Sequence, residues 1–152
     1  MRTAILILFF GLFIWTCGRV ASQVPPKADK GVIDFKRWDF TKNGHMELDG
    51  QWEFYWNCHL KSNPEICPTS DSKKYISVPG IWNGEIVDGK AITGKGFASY
   101  RLQFSLEELN QSYSLKVLDA ATSYNLWLNG VKILSNGKAG LDAETTKPRF
   151  LP

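Results

Sequence analysis

The chain lacks any apolar run long enough to cross a membrane. Its longest run, Ala4 to Trp15, has twelve residues, whereas a transmembrane helix needs about 20 and the apolar part of a signal peptide about 7–15. Arg2 supplies a basic start, and Val20-Ala21-Ser22 is typical of a cleavage site. We therefore expect residues 1–22 to be a signal peptide and the rest of the chain to be exported, to the periplasm or the cell surface.

Two other interpretations of this first segment stay open. Cys17-Gly18 stands where the lipidated cysteine of a lipoprotein would, although Trp15 and Thr16 depart from the small residues expected before it. An uncleaved anchor is the remaining alternative. Cleavage after Ser22 is preferred to lipidation of Cys17, and all three interpretations put the domain outside the cytoplasm.

The chain also lacks an excess of charge. Loss of Arg2 and Arg19 with the signal peptide leaves 16 of the 18 Lys and Arg residues, against 15 Asp and Glu residues. Binding to nucleic acid needs clustered cations that neutralise phosphates. No basic face is evident, so we expect no nucleic-acid partner.

Cysteine is scarce, with three residues in the whole chain. Cys58 and Cys67 remain after signal cleavage and bracket a short loop that contains Asn63-Pro64. In an exported protein such a pair predicts a disulfide, which stabilises the fold by about 2–3 kcal/mol. His59 is the only histidine nearby, too few ligands for a metal, and we expect no metal and no cofactor.

A long helical pattern and an internal repeat are both missing. After a polar linker at 23–30, short apolar stretches are separated by Gly, Asn, Asp or Pro. This spacing predicts an all-β fold, an antiparallel β-sandwich or jelly roll, over residues 31–152. Strands are expected at 31–36, 45–48, 51–56, 75–78, 97–105, 112–118, 123–128 and 131–135.

Three local patterns add detail to this prediction. Tyr100, Leu102 and Phe104 alternate with polar residues, which indicates a half-buried strand. Asn129-Gly130 lies between two strand patterns and predicts a tight hairpin. The segment SLEELN, with Ser105 as N-cap, predicts one helical turn.

Six segments in order resemble the extracellular jelly-roll domain found at the N terminus of bacterial seven-transmembrane receptors with diverse intracellular signalling modules. The resemblance covers about residues 31–148 and implies a galactose-binding-like jelly roll that senses a ligand and takes part in signal transduction. The segments are GVIDFKRWDF, LDGQWEFYW, YISVPGIWN, GFASYRLQFSL, ATSYNLWLNGVKI and NGKAG.

The chain is also similar to the N-terminal sugar-binding domain of glycoside hydrolase family 2, in DGQW, a Val-Pro followed by Trp, YR and an NG hairpin. This similarity implies, as the alternative function, a carbohydrate-binding accessory domain. Both resembled domains continue with strands beyond the region of KPRFLP, so we expect a jelly roll truncated at its C terminus. A remnant without function is the third hypothesis. Membrane attachment is expected in only two ways. One is a transmembrane region that this chain has lost or lacks, and the other is a lipidated Cys17.

The segment LDGQWEFYW is the densest aromatic stretch of a chain that is 13% aromatic. In a strand, Trp52, Phe54 and Trp56 share one face, and Glu53 and Tyr55 share the other. We expect the three large rings to fill the core. The alternative is an exposed platform on which a sugar ring stacks.

A glycine-rich segment between Trp82 and Tyr100 is long for a connection, and long loops are often functional or mobile. Rings at loop mouths can stack on the apolar face of a pyranose while polar groups bind its hydroxyls. The candidates for binding a small polar ligand, such as a saccharide, are Trp82, Asn83, Glu85 and Arg101. The alternative is that Trp82 caps the core and Arg101 pairs with a surface carboxylate.

No motif indicates catalysis. Glycosidases use paired carboxylates about 5–9 Å apart, but Glu47 and Glu53 flank a turn and are both expected to face solvent. His45 and His59 lack a nucleophile in a recognisable motif, and no GxSxG occurs. We expect a binding protein and not an enzyme.

Overall fold

The computed structural model describes residues 23–61, 67, 73–107, 110–117, 120 and 122–149. Within these ranges the regular structure is nine short strands and one helical turn, which confirms the all-β prediction. The predicted signal peptide and Cys17 lie outside them. The elements are β1 (Val32–Asp34), α1 (Phe40–Asn43), β2 (Gly50–Trp56), β3 (Lys74–Val78), β4 (Ile86–Val87), β5 (Lys90–Ala91), β6 (Ala98–Arg101), β7 (Gln103–Ser105), β8 (Tyr124–Leu128) and β9 (Val131–Asn136).

The central sheet has three antiparallel strands in the order β3-β2-β6. Strand β2, rich in the aromatic residues that favour strands, lies in the middle. Phe54 is opposite Lys74 on one side and Tyr100 on the other. Directly opposed residues point to the same face of a sheet, so the predicted division of β2 into two faces holds.

The N-terminal segment runs parallel to the start of β2 at very close range. The amide of Ala28 donates to Asp49 O over 2.7 Å, and the amide of Gln51 donates to Ala28 O over 2.8 Å. A Cβ on Gly50 would lie 2.3 Å from Ala28 O, and its φ is +122°. Glycine is therefore required at position 50. The Asp49-Gly50 dipeptide is thus both the turn before the rings of β2 and the place where the N-terminal segment packs.

The main apolar core lies beneath β1. Its buried members are Ala28, Ile33, Phe35 and Trp38, of which Ile33 is 1% exposed. Half-buried side chains from distant parts of the chain pack around them: Phe40, Met46, Leu48, Trp52, Leu102 and Leu106. Strand β1 alternates buried and exposed residues because only one of its faces meets this core.

The strand predicted over 97–105 is in fact two strands. Strand β6 pairs with β2 antiparallel, and β7 pairs with β1 parallel, with Leu102 between them. Leu102 packs into the core at the point where the chain changes partner. The parallel pair departs from the antiparallel arrangement that the sequence predicted.

Two further segments differ from their predicted structure. No strand forms at 45–48 or over the described part of 112–118. Met46 and Leu48 reach the core from irregular backbone, and the carbonyl of Leu48 accepts a hydrogen bond of 2.8 Å from the indole of Trp52. Ser105, predicted as an N-cap, belongs to β7, and the centre of that predicted turn lies outside the described residues.

Helix α1 is not among the elements predicted from the sequence. Asp39 is its N-cap, and the carboxylate accepts hydrogen bonds from the amides of Thr41 (3.0 Å) and Lys42 (3.1 Å). These two amides have no partner within the helix, so an acidic cap stabilises the turn. Within the described residues, no helix has the length and apolar character that crossing a membrane requires.

The predicted hairpin and the predicted disulfide are both present. Strands β8 and β9 are joined by Asn129 and Gly130, with φ of +48° and +84°, which is typical of a type I′ turn. Cys58 and Cys67 form the disulfide with their Cα atoms 4.6 Å apart, within the usual range. Cys58 is completely buried.

Candidate functional site

Four rings on one face of the central sheet form what we call the aromatic cluster: Phe54, Trp56, Trp82 and Tyr100. Trp82 stands 5.7 Å from Trp56 and 6.4 Å from Tyr100, measured between ring centroids. Phe54 lies at the base, 5.2 Å from Tyr100 and 1% exposed. The tryptophans and Tyr100 are half-buried, so the cluster joins the interior to the surface.

A tight turn after β3 brings Trp82 back over the sheet. A Cβ on Gly80 would lie 2.5 Å from the carbonyl oxygen of Ser77, so only glycine allows the chain to fold back this closely. Ile81 is 79% exposed, whereas the next side chain, Trp82, turns inward onto the cluster. This position agrees with the alternative in which Trp82 caps the core.

The glycine-rich segment is a folded hairpin rather than an open loop. Strands β4 and β5 pair around Asp88 and Gly89. Below them, the amide of Gly84 donates to Ile92 O over 2.9 Å, and the amide of Ile92 donates to Glu85 O over 2.8 Å. These hydrogen bonds hold Glu85 at a fixed place beside the cluster.

The glycines at the end of this segment allow close contact with the site. A Cβ on Gly96 would lie 2.2 Å from Cη2 of Trp56, so the backbone lies directly on the indole ring. A Cβ on Gly94 would lie 3.1 Å from the side-chain amide of Asn83. Gly94 and Gly96 therefore cover Asn83 and Trp56 without the bulk of a side chain.

A half-buried ion pair adjoins the aromatic cluster. Lys74 Nζ donates to the Glu85 carboxylate and also to the carbonyl of Ile86, over 2.9 Å for the latter. Burial, helped by the charge of Glu85, raises the pKa of Tyr100 to about 12. The Tyr100 hydroxyl is therefore neutral near pH 7 and can both donate and accept a hydrogen bond.

Arg101 lies on the opposite face of the sheet from the cluster. It is paired with Glu53 in the β2–β6 register, whereas Tyr100 is paired with Phe54. Successive residues of a strand point to opposite faces, so the sheet separates Arg101 from Trp82. The structure brings Trp82, Asn83 and Glu85 together and leaves Arg101 apart. Ligand binding by any of the four stays a prediction.

Glu53 is buried, so the expectation that it faces solvent is wrong. It is 4% exposed, and its carboxylate accepts hydrogen bonds from Arg101 Nε, from the Tyr55 hydroxyl (2.9 Å) and from Lys73 Nζ (3.2 Å). Burial by itself would raise the pKa of Glu53, but the hydrogen bonds from Arg101, Tyr55 and Lys73 outweigh it and the pKa is lowered. Glu47, by contrast, is exposed.

The two faces of β2 thus have different chemical capacities. The aromatic face offers ring surfaces with hydrogen-bonding groups beside them, a combination suited to ligands with both apolar and hydroxylated sides. The other face holds a carboxylate that is kept ionised and fully engaged. Across the described ranges, no three His, Cys, Asp or Glu side chains are grouped so that they could hold a metal ion.

Sequence reasoning missed Lys74 and Tyr100 as members of this site. The alternation in SYRLQFSL already placed Tyr100 on an inward face, and this signal could have identified it. Lys74 carries no such signal, because only the β2–β3 register places it opposite Phe54. Trp56 is among the three rings for which the sequence predicts a place in the core, with an exposed platform as the alternative.

Comparison of the chain with protein-family models, with curated proteins and with solved structures found no match.

Proposed function

We propose that the chain is an exported, non-catalytic domain that senses a small polar ligand, as the extracellular domain of a bacterial membrane signalling receptor. The fold we propose for it is the galactose-binding-like jelly roll that the six ordered segments resemble. The ligand class that fits best is a saccharide, which binds at the surface edge of the aromatic cluster.

One observation carries this proposal. Half-buried Trp82 packs against Trp56, and Lys74, which lies opposite Phe54 of the cluster, forms an ion pair with Glu85. Backbone hydrogen bonds join Glu85 to Trp82 and to Ile92, so these groups are held in place. A pyranose has an apolar face, which stacks on an aromatic ring, and hydroxyls, which bind charged groups strongly. Pre-formed rings with a few polar groups beside them are typical of small-molecule sites.

The state of Glu53 argues against a role for this carboxylate as a general acid. A general acid needs a carboxyl group with a raised pKa, whereas the pKa of Glu53 is lowered. Its carboxylate accepts hydrogen bonds from three side chains at once. These bonds make Glu53 a structural anion that joins β2 to β6.

Export is supported by two independent features. The apolar run from Ala4 to Trp15 has the length of a signal-peptide core. The Cys58–Cys67 disulfide is compatible with export, since disulfides persist mainly in oxidising compartments.

The test is a titration of the purified protein with a panel of hexoses and disaccharides, followed by NMR of the indole N–H groups. We expect saturable shifts of the Trp82 and Trp56 resonances, assigned from single Trp→Phe variants. Trp127 is the internal control, because it is 37% exposed but lies on β8 outside the site.

Variants make the test specific. Trp82→Ala should abolish the saturable shifts, and Trp127→Ala should leave them unchanged. If no sugar produces a saturable shift up to about 10 mM, a concentration that covers weak millimolar binding, the saccharide proposal fails. If shifts appear but Trp82→Ala retains them, the site lies elsewhere.

A further inference from the structure

The β8–β9 hairpin is anchored at its base and projects at its tip. At the base, the side-chain amide of Asn136 donates to Arg149 O over 2.8 Å, and Lys138 and Lys147 exchange two backbone hydrogen bonds. Exposure then rises along β9 from 8% at Asn136, through 41% at Leu134 and 49% at Ile133, to 64% at Val131. The end of the hairpin is thus a projection into solvent.

Apolar side chains occupy both faces of this projection. Leu128 is paired with Val131 on one face, and Trp127 is paired with Lys132 on the other. Trp127 and Leu128 are 37% and 41% exposed. Exposed apolar groups concentrated in one place mark an interaction site for a protein or a membrane.

The two-sided arrangement favours lipid over a protein partner. A flat protein surface would cover one face of the tip and leave the other in water. A lipid interface surrounds an inserted tip and covers Leu128 and Val131 together with Trp127. Tryptophan is also enriched where lipid meets water, because its ring is apolar and its N–H is polar.

The charge of the hairpin indicates which lipids it fits. Residues 122–138 contain Lys132 and Lys138 and no Asp or Glu. Lys61 adds a third cation, since its Nζ lies 3.7 Å from where a Cβ on Gly130 would be. Lysines next to an apolar tip favour an anionic surface, because their ammonium groups reach the headgroups while their stems lie along apolar surface.

We infer that the tip of the β8–β9 hairpin docks on an anionic lipid surface, with Trp127, Leu128 and Val131 inserted and Lys132 and Lys61 at the headgroups. The insertion is shallow. The outer edges of both strands carry backbone groups that the two-stranded sheet does not pair, and such groups do not enter the hydrocarbon core.

The test is flotation of the purified protein with phosphatidylcholine vesicles, with and without phosphatidylglycerol. We expect flotation with the phosphatidylglycerol vesicles that weakens as salt is raised. The double variant Leu128→Ser, Val131→Ser should lower the partition coefficient about tenfold. Val24→Ser is the matched control, because Val24 is 84% exposed and lies outside the hairpin, and it should float like the wild type.

A second measurement separates the tip from the N-terminal apolar run, which is identical in all variants. Brominated lipid should quench tryptophan fluorescence, and Trp127→Phe should remove most of that quenching. Urea unfolding should show the tip variants to be as stable as the wild type, because the substituted groups are exposed. Unchanged quenching in Trp127→Phe would overturn the inference.

Three other results would also overturn it. The wild type could stay in the soluble fraction with both kinds of vesicle. The double variant could float as strongly as the wild type, which would place the lipid contact elsewhere. Light scattering could instead show a dimer that the double variant abolishes, without vesicle binding, and the tip would then be an interface between two copies.

Discussion

Replacing Glu53 by glutamine tests whether the buried carboxylate stabilises the central sheet. Net contributions of hydrogen bonds to charged groups are about 1.5–3 kcal/mol, and three donors meet at this carboxylate. Arg101 and Lys73 are 49% and 31% exposed, so water screens both and the gain per contact is small. Glutamine keeps one acceptor but directs an N–H group toward these donors. We expect Glu53→Gln to lower the free energy of unfolding by about 2–3 kcal/mol.

The pH dependence of this loss has a definite sign. The pKa of Glu53 in the folded chain is lowered from an ordinary value of 4.5. Its contribution is therefore fully present above about pH 5 and is lost as the pH falls through the folded pKa. The difference in unfolding free energy between the wild type and Glu53→Gln should be constant near neutral pH and shrink below pH 4.5.

Urea unfolding followed by circular dichroism, at several pH values, measures this difference. Glu47→Gln is the matched control, because Glu47 is exposed and exposed substitutions usually change stability by less than about 0.5 kcal/mol. Equal stability of the two variants at pH 7 would refute the reasoning. So would a difference between wild type and Glu53→Gln that stays constant down to pH 3.

Three further predictions concern single features of the fold. Gly96→Ala places a methyl group against the Trp56 ring and should lower the free energy of unfolding by about 2 kcal/mol. Gly89→Ala should lower it less, because a Cβ at position 89 meets only open space. Urea unfolding compares the two variants. Reduction of the Cys58–Cys67 disulfide should cost about 2–3 kcal/mol, seen as a lower thermal midpoint that returns on reoxidation. Asp39→Ala removes a helix cap and should cost about 1 kcal/mol, measured by urea unfolding.

Features set by neighbouring residues could be predicted from the sequence. Asn129 and Gly130 both adopt positive φ, which these residue types tolerate, so the turn and its two strands follow from local chemistry. The alternation in β2 likewise fixed which of its rings share a face. The N-cap Asp39 is also a local signal, and it lies between the predicted strands at 31–36 and 45–48, where no helix is predicted.

Features set by distant pairing could not be predicted in this way. Leu102 continues the alternation of Tyr100 and Phe104, and nothing nearby shows that the chain changes partner there. The burial of Glu53 depends on Arg101, 48 residues away, so an acidic residue in a polar position of the pattern was expected in solvent. For the same reason Arg101 was grouped with Trp82, although the sheet separates them.

The parallel β1–β7 pair determines when the packing around β1 can be completed. Asp34 is joined to Ser105, 71 residues further along, so β1 has no partner strand until most of the chain has been synthesised. Contacts between such distant residues form slowly, because a large loop must close first. During that interval Ile33 and Phe35 have only nearby residues such as Trp38 and Trp52 to pack against. The core that begins at Ala28 is therefore completed only when Leu102 and Leu106, from the later part of the chain, are in place.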